Sequence, residues 1–150
     1  MLEITEITEA INELIAKAYP NDPVYVNLIP KDFSRPSTLI AFVNTERTDA
    51  SRKMLAVKIQ YALTCFCEVD GHYNSDTQAV TERQDGIMRI FARGYIKVAD
   101  RSVKLVAASS GAEITESYID LNIEYFDERP DEGDCYPIAE SVDTIITNGG

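Results

Sequence analysis

Three residue sets in this chain have types and spacings that could carry chemistry. The first is Cys65-Phe66-Cys67, with a third cysteine at Cys135. A Cys-X-Cys pair can hold a metal, but a zinc site requires a second ligand pair at suitable spacing, and none follows. His72 is the only histidine, which also argues against a zinc site or a nucleophile–histidine pair. Three cysteines do not make an even disulfide framework. The simplest reading is that Cys65 and Cys67 are small apolar residues on one strand face. The second set is Asp70-Gly71-His72-Tyr73-Asn74-Ser75-Asp76, whose alternating oxygen and nitrogen side chains superficially resemble a calcium loop. The glycine stands at the second position, however, and Thr81 occupies the place where a bidentate Glu belongs. A strand-to-helix turn is the plainer expectation. The third set is the carboxylates after Asp127. They could act as an acid–base pair only if buried and shifted, and in a segment holding Pro130, Gly133 and Pro137 they are expected to be solvated. The glycines form no phosphate-binding pattern. No cofactor, metal or catalytic residue is expected, and the chain is not read as an enzyme.

The elements that would have to position a site are more informative. Ile4, Ile7, Ile11, Leu14, Ile15 and Ala18 recur at helical steps, with Glu6, Glu9, Glu13 and Lys17 on the wet side. Pro20-Asn21-Asp22-Pro23 ends that helix. Val24 to Leu28 and Ser37 to Asn44 read as strands, and Thr45 to Lys53 as a polar connection with a mobile tip carrying Arg47, Arg52 and Lys53. Met54 to Val69 alternates apolar and polar residues over about sixteen positions, against a typical strand of roughly five or six. At about 3.3 Å per residue that run outreaches a compact domain of this size, which hints at an arm or long β-hairpin that contacts something else. Ser75 or Asp76 caps a second helix that runs to about Arg93, burying Val80, Gln84 in part, Ile87, Met88 and Phe91, with Gly94 as its C-cap. A hairpin over Tyr95–Val98 and Ser102–Ser109 and a last strand around Ile119, Leu121, Ile123 and Tyr125 complete the order. The spacing predicts an α+β fold: a mainly antiparallel sheet with two helices packed on one face and a long β-hairpin. Residues 1–126 are expected to form one domain, and residues 127–150 an acidic, loosely ordered tail.

The net charge is −11 over 150 residues, unevenly spread. Residues 1–23 hold five carboxylates against Lys17, residues 127–150 hold seven against Arg129, and the middle is nearly balanced. Such a chain should repel nucleic acid overall. No apolar run approaches the roughly 18 residues of a membrane helix. The opening Met1-Leu2-Glu3-Ile4 lacks a basic signal region, so a cytosolic product with no export route of its own is expected. The cations of the tip, Arg47, Arg52 and Lys53, are solvated, placed to meet an acidic patch on a neighbouring subunit, or in contact with phosphate. Arg89 and Arg93, four residues apart on one helix face, are either the wet face of that helix or partners of the acidic N-terminal helix or the tail, in the same chain or from another subunit. These five are the candidate subunit-interface residues.

In element order and a few short strings the chain resembles the tail terminator (tail completion) proteins of tailed phages and phage-like elements. The resemblance rests on several features. They are the helix Ile4 to Ala18, the strand Val24 to Leu28, Arg35-Pro36-Ser37-Thr38-Leu39-Ile40, the polar loop with Arg47, Arg52 and Lys53, and Val57-Lys58-Ile59-Gln60-Tyr61. A helix ending Ile90-Phe91, then Val98-Ala99-Asp100-Arg101 and Leu121-Asn122-Ile123-Glu124-Tyr125, extend it over about residues 1–126. Cys65-Phe66-Cys67 and the acidic tail depart from the pattern. The resemblance implies a virion structural protein at the head-proximal end of the tail, and a homo-oligomeric ring, expected to be a hexamer. That ring would cap the tail tube, end its polymerisation and present the head-joining surface. The implied partners are further copies of itself, the tail tube protein and a head–tail connector protein, with DNA passing the lumen without specific binding. The alternative is another tube-like or connector component of the tail, and beyond it a small ligand-binding domain or enzyme.

Overall fold

A computed structural model describes residues 2–72 and 74–129. The chain runs α1 (Ile4–Ala18), β1 (Val24–Val26), β2 (Ser37–Asp49), β3 (Met54–Phe66), α2 (Thr77–Ile90), β4 (Tyr95–Val98), β5 (Arg101–Ala112) and β6 (Glu116–Glu128). The six strands form one sheet in the order β1-β2-β3-β6-β5-β4. Every pairing is antiparallel except β1 with β2, which is parallel. The fold is thus α+β, with a mainly antiparallel sheet and two helices.

Alternation along the strands divides the sheet into two faces. Val57, Ile59, Tyr61, Leu63 and Cys65 of β3 point inward with Ile119, Leu121, Ile123 and Tyr125 of β6, Val103 and Leu105 of β5, and Ile96 and Val98 of β4. Ile7, Ile11 and Ile15 of α1 and Ile87 and Phe91 of α2 join the same cluster, so both helices cover this face. The i, i+4, i+8 spacing of the three isoleucines puts them on one stripe of α1, and all three are fully buried. Glu3 and Glu6 start that helix: the backbone N–H of Glu3 donates to Glu6 Oε1 at 3.0 Å. Asp76 caps α2, its Oδ1 accepting from the N–H of Gln78 at 3.1 Å.

Several elements depart from the sequence reading. The polar stretch Thr45–Asp49 is strand and not loop: Thr45 to Asp49 pair with Ile59 to Leu55, and the connection shrinks to Ala50–Lys53. Beyond the helix layer both faces of β2 are wet, so its alternation carries no apolar signature. A register shift between Phe42 and Asn44 marks where the strand leaves the core. β3 ends at Phe66 and not at Val69, and α2 ends at Ile90. Gly94, with φ of +85°, serves the turn after the helix and does not cap it directly. β5 and β6 are longer than expected.

β6 continues to Glu128 because Asp127 is an inward residue only 4% exposed. Its carboxylate accepts from the N–H of Leu2 at 3.0 Å and from Arg101 Nη1 at 3.2 Å, so the charge is matched where the strand leaves the core. Of the acidic tail, Asp127 and Glu128 lie in β6, and residues 130–150 lie outside the described residues.

Candidate assembly surface

The residues with apparent chemistry have structural partners. Cys65 is fully buried, and burial pushes its thiol up to about 11, away from the thiolate form that nucleophiles and metal ligands use. Cys67 is shifted in the same direction by the same cause. Asp70 Oδ1 accepts the backbone N–H groups of His72 (2.8 Å) and Asn74 (3.1 Å), so its carboxylate closes a turn. A side-chain ladder that the sequence did not announce joins three elements. Arg83 of α2, whose side chain is 9% exposed, donates to Asp22 after α1 at 2.5 Å and to Thr38 Oγ1 of β2 at 3.0 Å. Its guanidinium also lies 4.1 Å from the centre of the Tyr19 ring. Gly86 sits one turn further along α2, where a Cβ would come within 2.3 Å of the Tyr19 hydroxyl. A mid-helix glycine, unfavourable by about 1 kcal/mol relative to Ala, thus leaves room for the ring, whose hydroxyl end would have to shift to admit a side chain.

Among the described residues, what remains exposed is most of the sheet's outer face, apart from Phe66 under Phe33 and Arg35, and two incomplete edges. On the outer face, Glu46, Lys58, Glu124 and Lys104 stand directly opposite one another on β2, β3, β6 and β5. Charges of alternating sign at cross-strand positions are mutually favourable. The adjacent row is Asn44, Gln60, Asn122 and Val106. Neither helix packs against this face.

The edges are uncovered at diagonally opposite corners. β1 pairs only with Thr38–Ile40 of β2, after which Asn27 Oδ1 accepts the N–H of Phe42; from Val43 to Asp49 no described strand pairs with β2 on the side away from β3. On the far side, β4 pairs only with Arg101–Lys104 of β5, and Gly94 O accepts the N–H of Leu105 at 2.9 Å. From Val106 to Ala112 no described strand pairs with β5 on the side away from β6. The open β2 segment lies level with the C-terminal half of β6 and the open β5 segment with its N-terminal half. Large apolar side chains stand beside these edges: Leu28, Phe42 and Val43 near β2, and Val106 on β5.

The five cations expected at an interface fall into two places. Arg47 lies on β2 opposite Val57, beside the open edge, and Arg52 and Lys53 lie on the β2–β3 turn. The turn is tied to the end of β6: the N–H of Arg129 donates to Lys53 O at 2.9 Å and its Nε to Arg52 O at 3.1 Å, and its guanidinium pairs with Asp49 at 2.6 Å. Arg89 pairs with Asp85 at 2.9 Å on exposed α2 surface. With Arg93 it lines a groove between α1 and β4, to which Lys17 and Lys97 also contribute. Sequence spacing brought Arg89 and Arg93 together but not Lys17 or Lys97, because their meeting depends on how α1 crosses the end of α2.

No curated protein matches the chain. A family model described as phage tail terminator protein matches residues 6–134, which takes in α1 but for its first two residues, α2 and all six strands. By that match the chain belongs to the phage tail terminator family and is a structural component of a phage tail.

Proposed function

We propose that copies of this chain join edge to edge into a closed ring, expected to hold six copies, that caps the tail tube, ends its growth and offers the head-joining surface. The observation that carries this reading is the pair of open strand edges at opposite corners of the sheet. Edges of this kind present unpaired N–H and C=O groups to another chain. β2 and β5 run in opposite directions within the sheet. If neighbouring subunits keep one orientation, β2 of one therefore meets β5 of the next antiparallel, continuing the pattern inside each sheet. The joined surfaces are different, so the contact is head-to-tail and closes when the rotation per copy permits. Arg47 lies beside this joint, and Arg52 and Lys53 stand at its end.

One ring face then matches the last ring of tube protein, and the other lacks the surface that would recruit a further one and meets the head–tail connector. With a net charge of −11, the lumen gives DNA phosphates few cations to hold, so DNA passes without specific binding. No turnover or cofactor enters this role. The test is the mass of the purified protein by light scattering over a concentration series. A discrete species of about six chains is the expected end point. Open polymers that lengthen with concentration would assign the chain to the tube instead, and a monomer at every concentration, unchanged when tube protein is added, would overturn the reading.

A further inference from the structure

We infer that the groove between α1 and the end of α2 is a docking site for the chain's own acidic segment 130–150. The groove has a volume of about 610 Å³. Its lining carries Lys17, Arg89, Arg93 and Lys97 against the single carboxylate Glu13, with Leu14 and Ile90 between the charges. Arg89 is shared with Asp85; among the described residues, Lys17, Arg93 and Lys97 make no ion pair within 4 Å. Three exposed cations around an apolar strip, in a molecule of net charge −11, are a local reversal of sign that selects an acidic, partly apolar segment.

Segment 130–150 has that chemistry. It holds Asp131, Glu132, Asp134, Glu140 and Asp143, no Lys or Arg, and Tyr136-Pro137-Ile138 between its two acidic groups. Its starting point also suits the groove. Arg129 is fixed at the end of β6, two strands from β4, or about 10 Å across the sheet. The N-terminus of α1 is held at the same end of β6, through Leu2 and Asp127, and Lys17 lies about 22 Å along α1 from there at 1.5 Å per residue. About ten extended residues cover the resulting diagonal. The first acidic group can then reach Lys97, Tyr136 and Ile138 the apolar strip, and Glu140 or Asp143 Lys17. Covalent attachment raises the effective concentration of this segment to the millimolar range, which favours it over a second copy's segment or an outside partner. Arg52 and Lys53 are nearer the exit, but they stand on an exposed turn.

Carbodiimide cross-linking of the full chain tests the assignment. The reagent activates a carboxylate, and an adjacent lysine amine displaces it to form an amide. The sample is an equal mixture of unlabelled and ¹⁵N-labelled protein, read by mass spectrometry, so intrachain and interchain links are distinguished whatever the state of assembly. The expected products join Lys17 or Lys97 to carboxylates of residues 131–143 within one isotopic chain, and their yield falls several-fold in Arg89→Gln/Arg93→Gln, which leaves both lysines in place. Links confined to Lys53, or a yield that the double variant leaves unchanged, would overturn the groove as the site. Mixed light–heavy products would overturn the chain's own segment as occupant and give the groove to a neighbouring copy. The assignment concerns one chain, so its failure and that of ring closure are read separately.

Discussion

At the scale of single residues, the strongest tie outside the core is Arg83. Its guanidinium holds Asp22, Thr38 and the Tyr19 ring together, and so fixes the chain after α1 against α2 and β2. Asp22 is 17% exposed at its side chain, so removing its partner leaves a largely buried, uncompensated carboxylate. Replacing Arg83 with Met keeps much of the side-chain volume and deletes the charge. Arg83→Met is expected to lower unfolding free energy by about 3 kcal/mol, read as a lower urea midpoint at unchanged slope. A double-mutant cycle with Asp22→Asn should return a coupling of about 1–2 kcal/mol. A coupling near zero would mean that Arg83 acts through its stacking on Tyr19 and not through the ion pair. None of this was legible beforehand. Asp22 read as part of a helix-stopping turn, and only the tertiary approach of the two elements distinguishes Arg83 from Arg89.

At the scale of elements, the open edges make the sharpest prediction. Val43 and Val106 are 47% and 48% exposed and flank the β2 and β5 edges. Lysine at an edge blocks strand addition. Because the chain is acidic, added lysines reduce its self-repulsion, so lost assembly could not be put down to charge. Val43→Lys and Val106→Lys should each leave monomer stability within about 0.5 kcal/mol of the native chain while shifting the light-scattering mass toward the monomer. The matched control is Ile114→Lys, at an exposed position outside both edges. The sequence carried the elements themselves well. Apolar steps of three and four marked α1, the candidate caps Ser75 and Asp76 marked the start of α2, and period-two alternation marked β3 and β6. It failed at Thr45–Asp49, where neither strand face is buried and a strand looks like a polar loop. The parallel β1–β2 pair and the open corners follow from strand order and register. Those are set by contacts between residues far apart in the chain, and no local pattern encodes them. The five candidate interface cations were legible as a tip group and a helix pair, but the place of Arg47 within β2, and the groove that Arg89 and Arg93 line with Lys17 and Lys97, were not.

At the scale of the whole molecule, charge and the proposed edge pairing act against each other. Copies carrying −11 each repel at long range, whereas backbone pairing and the apolar contacts of Phe42, Val43 and Val106 act only at contact. Screening separates the two. The Debye length falls from about 30 Å at 0.01 M salt to about 8 Å at 0.15 M, which removes repulsion between subunit bodies while leaving contact-range hydrogen bonds and apolar burial nearly untouched. An assembly carried by sheet edges should therefore be tighter at 0.15 M than at 0.01 M salt, with the midpoint of the light-scattering transition moving to lower protein concentration. An assembly carried by Arg47, Arg52, Lys53, Arg89 and Arg93 against acidic surface would respond in the opposite sense, because the attraction itself is then what salt screens. If the midpoint moves to higher concentration with added salt, the cations and not the edges hold the copies together. The ring would then have to be built around the β2–β3 turn and the α1–α2 groove instead of a continuous sheet.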